Sequence, residues 1–287
     1  MTPTVMAPLD GSPAAEAALP WAVLLARAVR GAVRLVGVHA PPAVFLDGET
    51  LVGSAVPDDA VRQKEAEYFA TMLVRLKGTG VPVAAELLDG GVVSSLAEYA
   101  RNLHPVWIVM TSHARGPVAK FFLGETATEF FRRSPCPVLL VHPTDRPADP
   151  AAAPGVHHVL VPLDGSALAE TMVRPAGEFA KAIGADVTLI TALAAAADMG
   201  PAGKAEAYLT RAGEPLRAEA IPLRCQVVAQ GGAADVIVAE AKARPGTVVA
   251  LATHGRGGLS KLVWGSVAEE VVRRSPTPVL VYKPSER

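Results

Sequence analysis

The sequence predicts an α/β fold, built as two repeated doubly wound domains, each a five-stranded parallel sheet with helices on both faces. Three observations predict it. Short apolar runs alternate with helical segments along the whole chain. The chain repeats itself once, over more than a hundred residues. A glycine-broken loop closes one apolar run and opens a helix, as ligand-binding loops of open α/β sheets do.

The repeat is read from three matched stretches. Pro8-Leu9-Asp10-Gly11-Ser12 returns as Pro162-Leu163-Asp164-Gly165-Ser166, 154 positions on. Gly90-Gly91 returns as Gly231-Gly232, and Arg132 to Leu139 returns as Arg273 to Leu280, both 141 positions on. The smaller second offset places a deletion in copy two between the first motif and the double glycine. A period this long indicates duplication rather than a solenoid. The division expected is a first domain at 1–142, a Pro- and Ala-rich linker at 143–155 and a second domain at 156–287.

Within copy one the expected strands are Thr4 to Leu9, Val33 to Val38, Val83 to Leu88, Val106 to Met110 and Pro137 to His142. Between them, helices are expected from Ser12 to Gly31, Asp58 to Lys77, Val92 to Asn102 and Thr126 to Arg133. Ser12 suits the N-cap and Pro13 the first turn, while Pro20 and Pro175 fall inside their helices and should kink them. Copy two gives strands at Val156 to Leu163, Val187 to Leu193, Leu223 to Ala229, Val248 to Leu251 and Pro278 to Tyr282. Its helices are expected at Ser166 to Ile183, Ala233 to Ala243 and Ser266 to Arg274. Crossovers between parallel strands are right-handed, so both sheet faces are covered.

Composition narrows the partners. The 287 residues are half apolar, with 27 Lys and Arg against 28 Asp and Glu. That balance leaves no electrostatic footprint for nucleic acid or an anionic membrane. No apolar run approaches the length of a membrane span and no leader pattern opens the chain, so a cytoplasmic location is expected. Cys136 and Cys225 have no metal-ligand spacing and read as buried small hydrophobes. Arg132-Arg133 and Arg273-Arg274 end helices, where cations complement the dipole.

The stretch from Leu251 to Val267 carries the chemistry. Val248 to Leu251 is a buried-strand run, Gly255, Gly257 and Gly258 break it, and Gly265-Ser266 opens a helix. Glycines admit a ligand close to the backbone, and a helix N-terminus favours an anion. Neither a Walker loop nor a dinucleotide fingerprint is present, because Ser260 stands where each requires glycine. Two ordinary loop glycines would also account for the spacing. Asp164 ends the first strand of its copy, and across a switch point it would face the same crevice as this loop. It would accept hydrogen bonds from a ribose hydroxyl or an adenine amine; a turn Asp before Gly is the plainer reading. His113 and His254 close matching strands without a nucleophile elbow beside them, which argues against catalytic histidines.

With these pieces in place, the chain resembles the universal stress proteins in their tandem form, over both halves nearly end to end. That family's nucleotide motif is Gly-x2-Gly-x9-Gly-Ser/Thr after an Asp closing strand one. Copy two matches it as Ala252-Thr253-His254-Gly255, nine residues, Gly265-Ser266, departing only at Ala252. The resemblance implies strand order 3-2-1-4-5, with the fifth-strand edges pairing the two domains as an intrachain pseudo-dimer. It also implies ATP, with or without magnesium, in domain two. Pro162, Leu163, Asp164 and Ala192 would line the adenosine side, and Gly255, Gly265, Ser266 and Val267 the phosphates; Leu251, Ala252 and His254 complete the implied set.

Copy one reads Thr111-Ser112-His113-Ala114, nine residues, Gly124-Glu125. Both early glycines are lost, and the Glu125 carboxylate would occupy the helix start itself and repel a triphosphate. Its site is expected to be weak or empty. The function expected is a nucleotide-binding stress-response regulator or interaction module with at most slow ATP hydrolysis; a nucleotide-free dimerisation scaffold is the alternative. An ATP pyrophosphatase or adenylating enzyme would need a Ser-Gly-Gly-x-Asp-Ser type loop after strand one, where Leu-Asp-Gly-Ser stands.

Overall fold

The computed structural model describes residues 2–40, 45–47, 50–52, 57–111, 125–143, 149–193, 203–229, 231–253 and 265–284. In the first half the strands are β1 (Thr4–Pro8), β2 (Ala32–His39), β3 (Phe45–Asp47), β4 (Thr50–Val52), β5 (Val83–Asp89), β6 (Trp107–Thr111) and β7 (Val138–Val141). Its helices are α1 (Leu19–Ala28), α2 (Asp58–Leu76), α3 (Val92–Leu103) and α4 (Glu125–Arg133). The second half has strands β8 (His158–Pro162), β9 (Asp186–Ala192), β10 (Leu223–Val228), β11 (Thr247–Ala252) and β12 (Val279–Tyr282). Helices α5 (Ala167–Glu170), α6 (Val173–Ile183), α7 (Gly203–Ala212), α8 (Glu214–Ala218), α9 (Ala233–Ala243) and α10 (Ser266–Arg274) accompany them.

Ten of these strands form one sheet in the order β10-β9-β8-β11-β12-β7-β6-β1-β2-β5, while β3 and β4 make a separate antiparallel hairpin. Each half of the large sheet is parallel throughout and runs 3-2-1-4-5 in its own numbering, as expected. Period-two alternation serves both faces: Val5 and Ala7 join one core, and Met6 between them joins the other. Helices α1, α2, α6, α7 and α8 contribute to the first core, and α3, α4, α9 and α10 to the second.

The halves meet where β7 and β12 run antiparallel, with Val279 opposite Leu140, Leu280 opposite Leu139 and Val281 opposite Val138. Under the 141-residue repeat, Leu139 and Leu280 are equivalent, so the pseudo-twofold axis passes through their pair, and the flanking pairs are images of each other. Both leucines are fully buried. Trp107 of β6 packs edge-on against Phe179 of α6 at 5.8 Å between ring centres, so one core runs unbroken through both halves. The Lys283 ammonium donates to the Arg132 carbonyl at 2.6 Å, and the His142 Nε2–H to the Thr277 carbonyl at 3.1 Å. These bonds satisfy backbone at the seam.

Four expectations change. The first helix of each half is not one α-helix: ahead of its proline it changes from a 3-10 turn to α in the first half and is interrupted by two residues in the second. A 3-10 turn covers Ala15–Ala18 before α1, and α5 ends at Glu170 before α6 starts at Val173. Proline lacks an N–H and clashes with the carbonyl four residues back, so Pro20 and Pro175 are accommodated in the first turn of a fresh helix. Copy two also holds α7 and α8, which the sequence left unassigned and which occupy the place of α2. The β3–β4 hairpin was unassigned too. Cys225 is exposed on edge strand β10, not buried, while Cys136 is half-buried. No helix among the described residues is long and apolar enough to cross a membrane.

A core shared through Phe179 predicts cooperative unfolding of both halves. Phe179→Ala should lower stability by about 3–5 kcal/mol and shift one urea transition, followed by tryptophan fluorescence, to lower denaturant. Two transitions, only one of them shifted, would show that the halves unfold independently.

Candidate functional site

Strands β9, β8 and β11 are neighbours in the sheet, and their carboxyl ends bring together most of the residues singled out from the sequence. Pro162 ends β8 and Ala192 ends β9, each half-buried. Leu163 is buried and locked to β9 twice: its N–H donates to the Ile190 carbonyl at 2.8 Å, and its carbonyl accepts the Thr191 hydroxyl at 2.7 Å. Asp164 is exposed in the turn that follows, where its Oδ1 accepts the Ser166 N–H at 2.9 Å. Gly165 takes φ +85°, a conformation that a Cβ would strain. Ser166 then caps α5 by accepting the Ala169 N–H at 3.1 Å. The turn role of Asp164 is therefore present, and it holds the carboxylate at the strand end.

On the β11 side, Leu251 is buried and Ala252 half-buried opposite Tyr282. Thr253 donates its N–H to the Tyr282 carbonyl at 2.9 Å, yet its fully buried hydroxyl has no hydrogen-bond partner among the described residues. A buried unpaired hydroxyl is costly, so this atom calls for a partner at the strand end. His254 and Gly255 lie outside the described residues. Gly265 is the N-cap of α10 with φ −65° and ψ 151°, and its carbonyl accepts the Glu269 N–H at 2.9 Å. Ser266 and Val267 open the helix, both exposed. Thus the first N–H groups of α10 stand at the same end of the sheet as Asp164.

The first half repeats the turn but not the helix start. Asp10 Oδ1 accepts both the N–H and the hydroxyl of Ser12, at 3.0 and 2.6 Å, and Gly11 takes φ +79°. Glu125 is the first residue of α4, the position Ser266 holds in α10; its side chain, with His113, Ala114 and Gly124, lies outside the described residues. Sequence reasoning missed a further repeated feature. Glu16 and Glu170, each six residues past the turn Asp, pair with Arg75 at 2.6 Å and Arg211 at 3.8 Å. Tyr68 and Tyr208 lie against these acids with their hydroxyls buried. Burial first, then the Glu170 charge, push the Tyr208 hydroxyl up to about 12. The 154-residue offset relates Glu16 to Glu170 and could have exposed them.

Comparison with known proteins adds to this geometry. The model of the universal stress protein family matches residues 1–142 and 155–283. A universal stress protein of Mycolicibacterium smegmatis is 25% identical over 292 residues, which cover 98% of this chain and 97% of that protein. One from Mycobacterium tuberculosis is 27% identical over 300 residues, with 98% and 97% covered. Among solved structures, a universal stress protein from Archaeoglobus fulgidus aligns at TM-score 0.75 and 20% identity over 98% of both chains, a likeness of fold.

A buried histidine at the carboxyl end of β2 gives the first half its own electrostatics. His39 is 1% exposed, with Nδ1 2.7 Å from Glu65 Oε2 and Nε2 3.0 Å from Asp58 Oδ1. Two carboxylates facing two ring nitrogens require two N–H donors, the imidazolium. The hydrogen bond to Glu65 raises the His39 pKa above its ordinary value; burial opposes it and Asp58 adds to it. A raised folded-state value means that the stabilisation is fully present below the unfolded value of about 6.5 and is lost as pH rises through the folded one. Wild type should therefore exceed His39→Gln in unfolding free energy most below about pH 6, and the gap should shrink as pH rises. A gap that does not change with pH would rule out the imidazolium.

Proposed function

The chain belongs to the universal stress protein family, with two repeats in tandem, and we propose that it is an ATP-binding regulator whose second repeat holds the nucleotide. The observation that carries this reading is the adjacency of β8 and β11, which sets the Asp164 turn and the α10 N-terminus at one end of the sheet. Ligands of doubly wound sheets bind at that end, where strand order reverses. On this reading Asp164, with Pro162, Leu163 and Ala192, meets the adenosine. Gly265, Ser266 and Val267, with the backbone N–H groups of the first turn, meet the phosphates, together with Gly255 from the loop ahead of them. The buried Thr253 hydroxyl, without a hydrogen-bond partner among the described residues, and the exposed Val267 at the same strand end fit a site completed by a ligand. The first repeat places an acid at the head of α4, where a serine heads α10, so its affinity for a triphosphate is lower. Division into units at 1–142 and 156–287, with one nucleotide per chain, belongs to the same proposal. The reading is of a binding module that signals occupancy, with hydrolysis at most slow.

Gly265→Val tests it cleanly. The backbone there, at φ −65° and ψ 151°, is one that a β-branched residue adopts readily, so α10 still forms at a capping cost of about 1 kcal/mol. The added side chain stands in the phosphate path. Wild-type protein, denatured after purification, should release an adenine nucleotide detected by mass spectrometry. The variant should release none and show no calorimetric ATP binding, with an unchanged circular dichroism spectrum. Equal ATP affinity in a folded variant would overturn the assignment, and a wild-type protein that neither releases nor binds nucleotide would favour the scaffold reading.

A further inference from the structure

At the other end of the second repeat, a cleft of about 140 Å³ opens on the sheet face covered by α9. It is lined by His158 of β8, Thr188 of β9, Arg224 and Gln226 of β10, Glu240 of α9 and Arg244 just past that helix. Strand residues at alternate positions share a face, which is why these side chains converge. The volume holds roughly five water molecules.

The first repeat shows how this space arises. Strand register and the repeat offsets place Arg34 at the position of Thr188, Glu86 at that of Gln226 and Tyr99 at that of Glu240. There the Tyr99 ring packs on the apolar core and its hydroxyl lies in the field of Arg34 and Glu86. Copy two exchanges the ring for a carboxylate and Arg34 for a threonine, while Arg224 stands where the register places Ala84, so the guanidinium moves to the edge strand and polar groups of both signs are left around the gap.

The charges that remain define a ligand. Asp186, beside the cleft, is already engaged: it takes the His158 Nδ1–H and, through Oδ2, the Arg244 Nη2–H at 2.5 Å. Burial lowers the His158 pKa, so the ring is neutral with its proton on Nδ1, and Nε2 is an acceptor. Glu240 Oε1 accepts the Gln226 amide at 2.9 Å, a neutral partner. Neither Arg224 nor Glu240 makes an ion pair among the described residues. Thr188 is buried, and its hydroxyl makes no hydrogen bond among the described residues. A simple anion would answer Arg224 but meet Glu240, and a simple cation would answer Glu240 but meet Arg224 and Arg244. We propose that this cleft is a binding site for a small zwitterion of the amino-acid class, its carboxylate on Arg224 and its ammonium on Glu240. The site is independent of the nucleotide reading, since it lies at the amino ends of the same strands.

Calorimetric titration of the full chain with glycine, L-alanine and L-serine tests this, with propionate, ethylamine and orthophosphate as probes carrying charge of one sign. At least one amino acid should bind saturably and the three single-sign probes should not. Arg224→Gln and Glu240→Gln should each weaken that binding at least tenfold, about 1.4 kcal/mol. Glu240→Tyr, which installs the residue of the first repeat, should abolish it. All three variants alter side chains at least partly open to solvent, and an unchanged thermal transition checks their fold. No saturable binding by any amino acid up to about 10 mM would overturn the proposal. So would propionate or orthophosphate binding as tightly as the amino acid, or a Glu240→Gln variant with undiminished affinity.

Discussion

The antiparallel contact between β7 and β12, centred on Leu139 and Leu280, is the constraint on which the rest of the molecule depends. Each half ends its sheet with a short, apolar fifth strand that would otherwise present an unpaired edge. Pairing the two edges inside one chain removes that liability at both strands and joins two five-stranded sheets into one of ten. It also fuses their cores, because Trp107 and Phe179 meet across the seam. The remaining edges, β5 and β10, are the two most distant from the axis.

The same contact sets where the carboxyl strand ends of the two repeats lie. Because the halves run antiparallel across the axis, the carboxyl ends of the first repeat's strands and those of the second point to opposite ends of the sheet. The two crevices are therefore far from each other and free to diverge. The second keeps glycine and serine at the head of its helix, whereas the first has an acid there and a buried His39 bound to Asp58 and Glu65. The polar cleft beside Asp186 follows the same pattern, since Glu240 and Thr188 stand where the first copy has Tyr99 and Arg34, and Arg224 where it has Ala84. Duplication supplied two frames, and substitution at a few facing positions gives them different chemistry.

Much of the frame is legible in the sequence because it rests on local rules. Apolar runs bounded by glycine and proline located all ten strands of the main sheet, and the repeated Pro-Leu-Asp-Gly-Ser turn located both strand-one ends. What escaped was set by tertiary context. Helix α7 follows an Ala-rich stretch with weak punctuation, and Leu209 is its only fully buried anchor among the described residues. The change from 3-10 to α ahead of Pro20 and the interruption ahead of Pro175 depend on where an α-helix can start, which proline alone does not state. His39, Asp58 and Glu65 come from a strand and a helix with a long connection between them, and only their packing brings them together. Cys225 looked like a core residue by type and is exposed because its strand lies at the sheet edge. At the candidate site, Asp164, Gly265 and Ser266 are singled out by motif spacing, whereas the buried Thr253 hydroxyl, without a partner among the described residues, needed coordinates.

The central claim is that one repeat of two carries the nucleotide, and photoaffinity labelling with 8-azido-ATP tests it most directly. The account predicts about one label per chain, displaced by unlabelled ATP and mapped by peptide mass spectrometry to the second repeat beside the Asp164 turn or the end of β9. Labels divided evenly between that repeat and the Asp10 turn of the first, or none that ATP displaces, would contradict it.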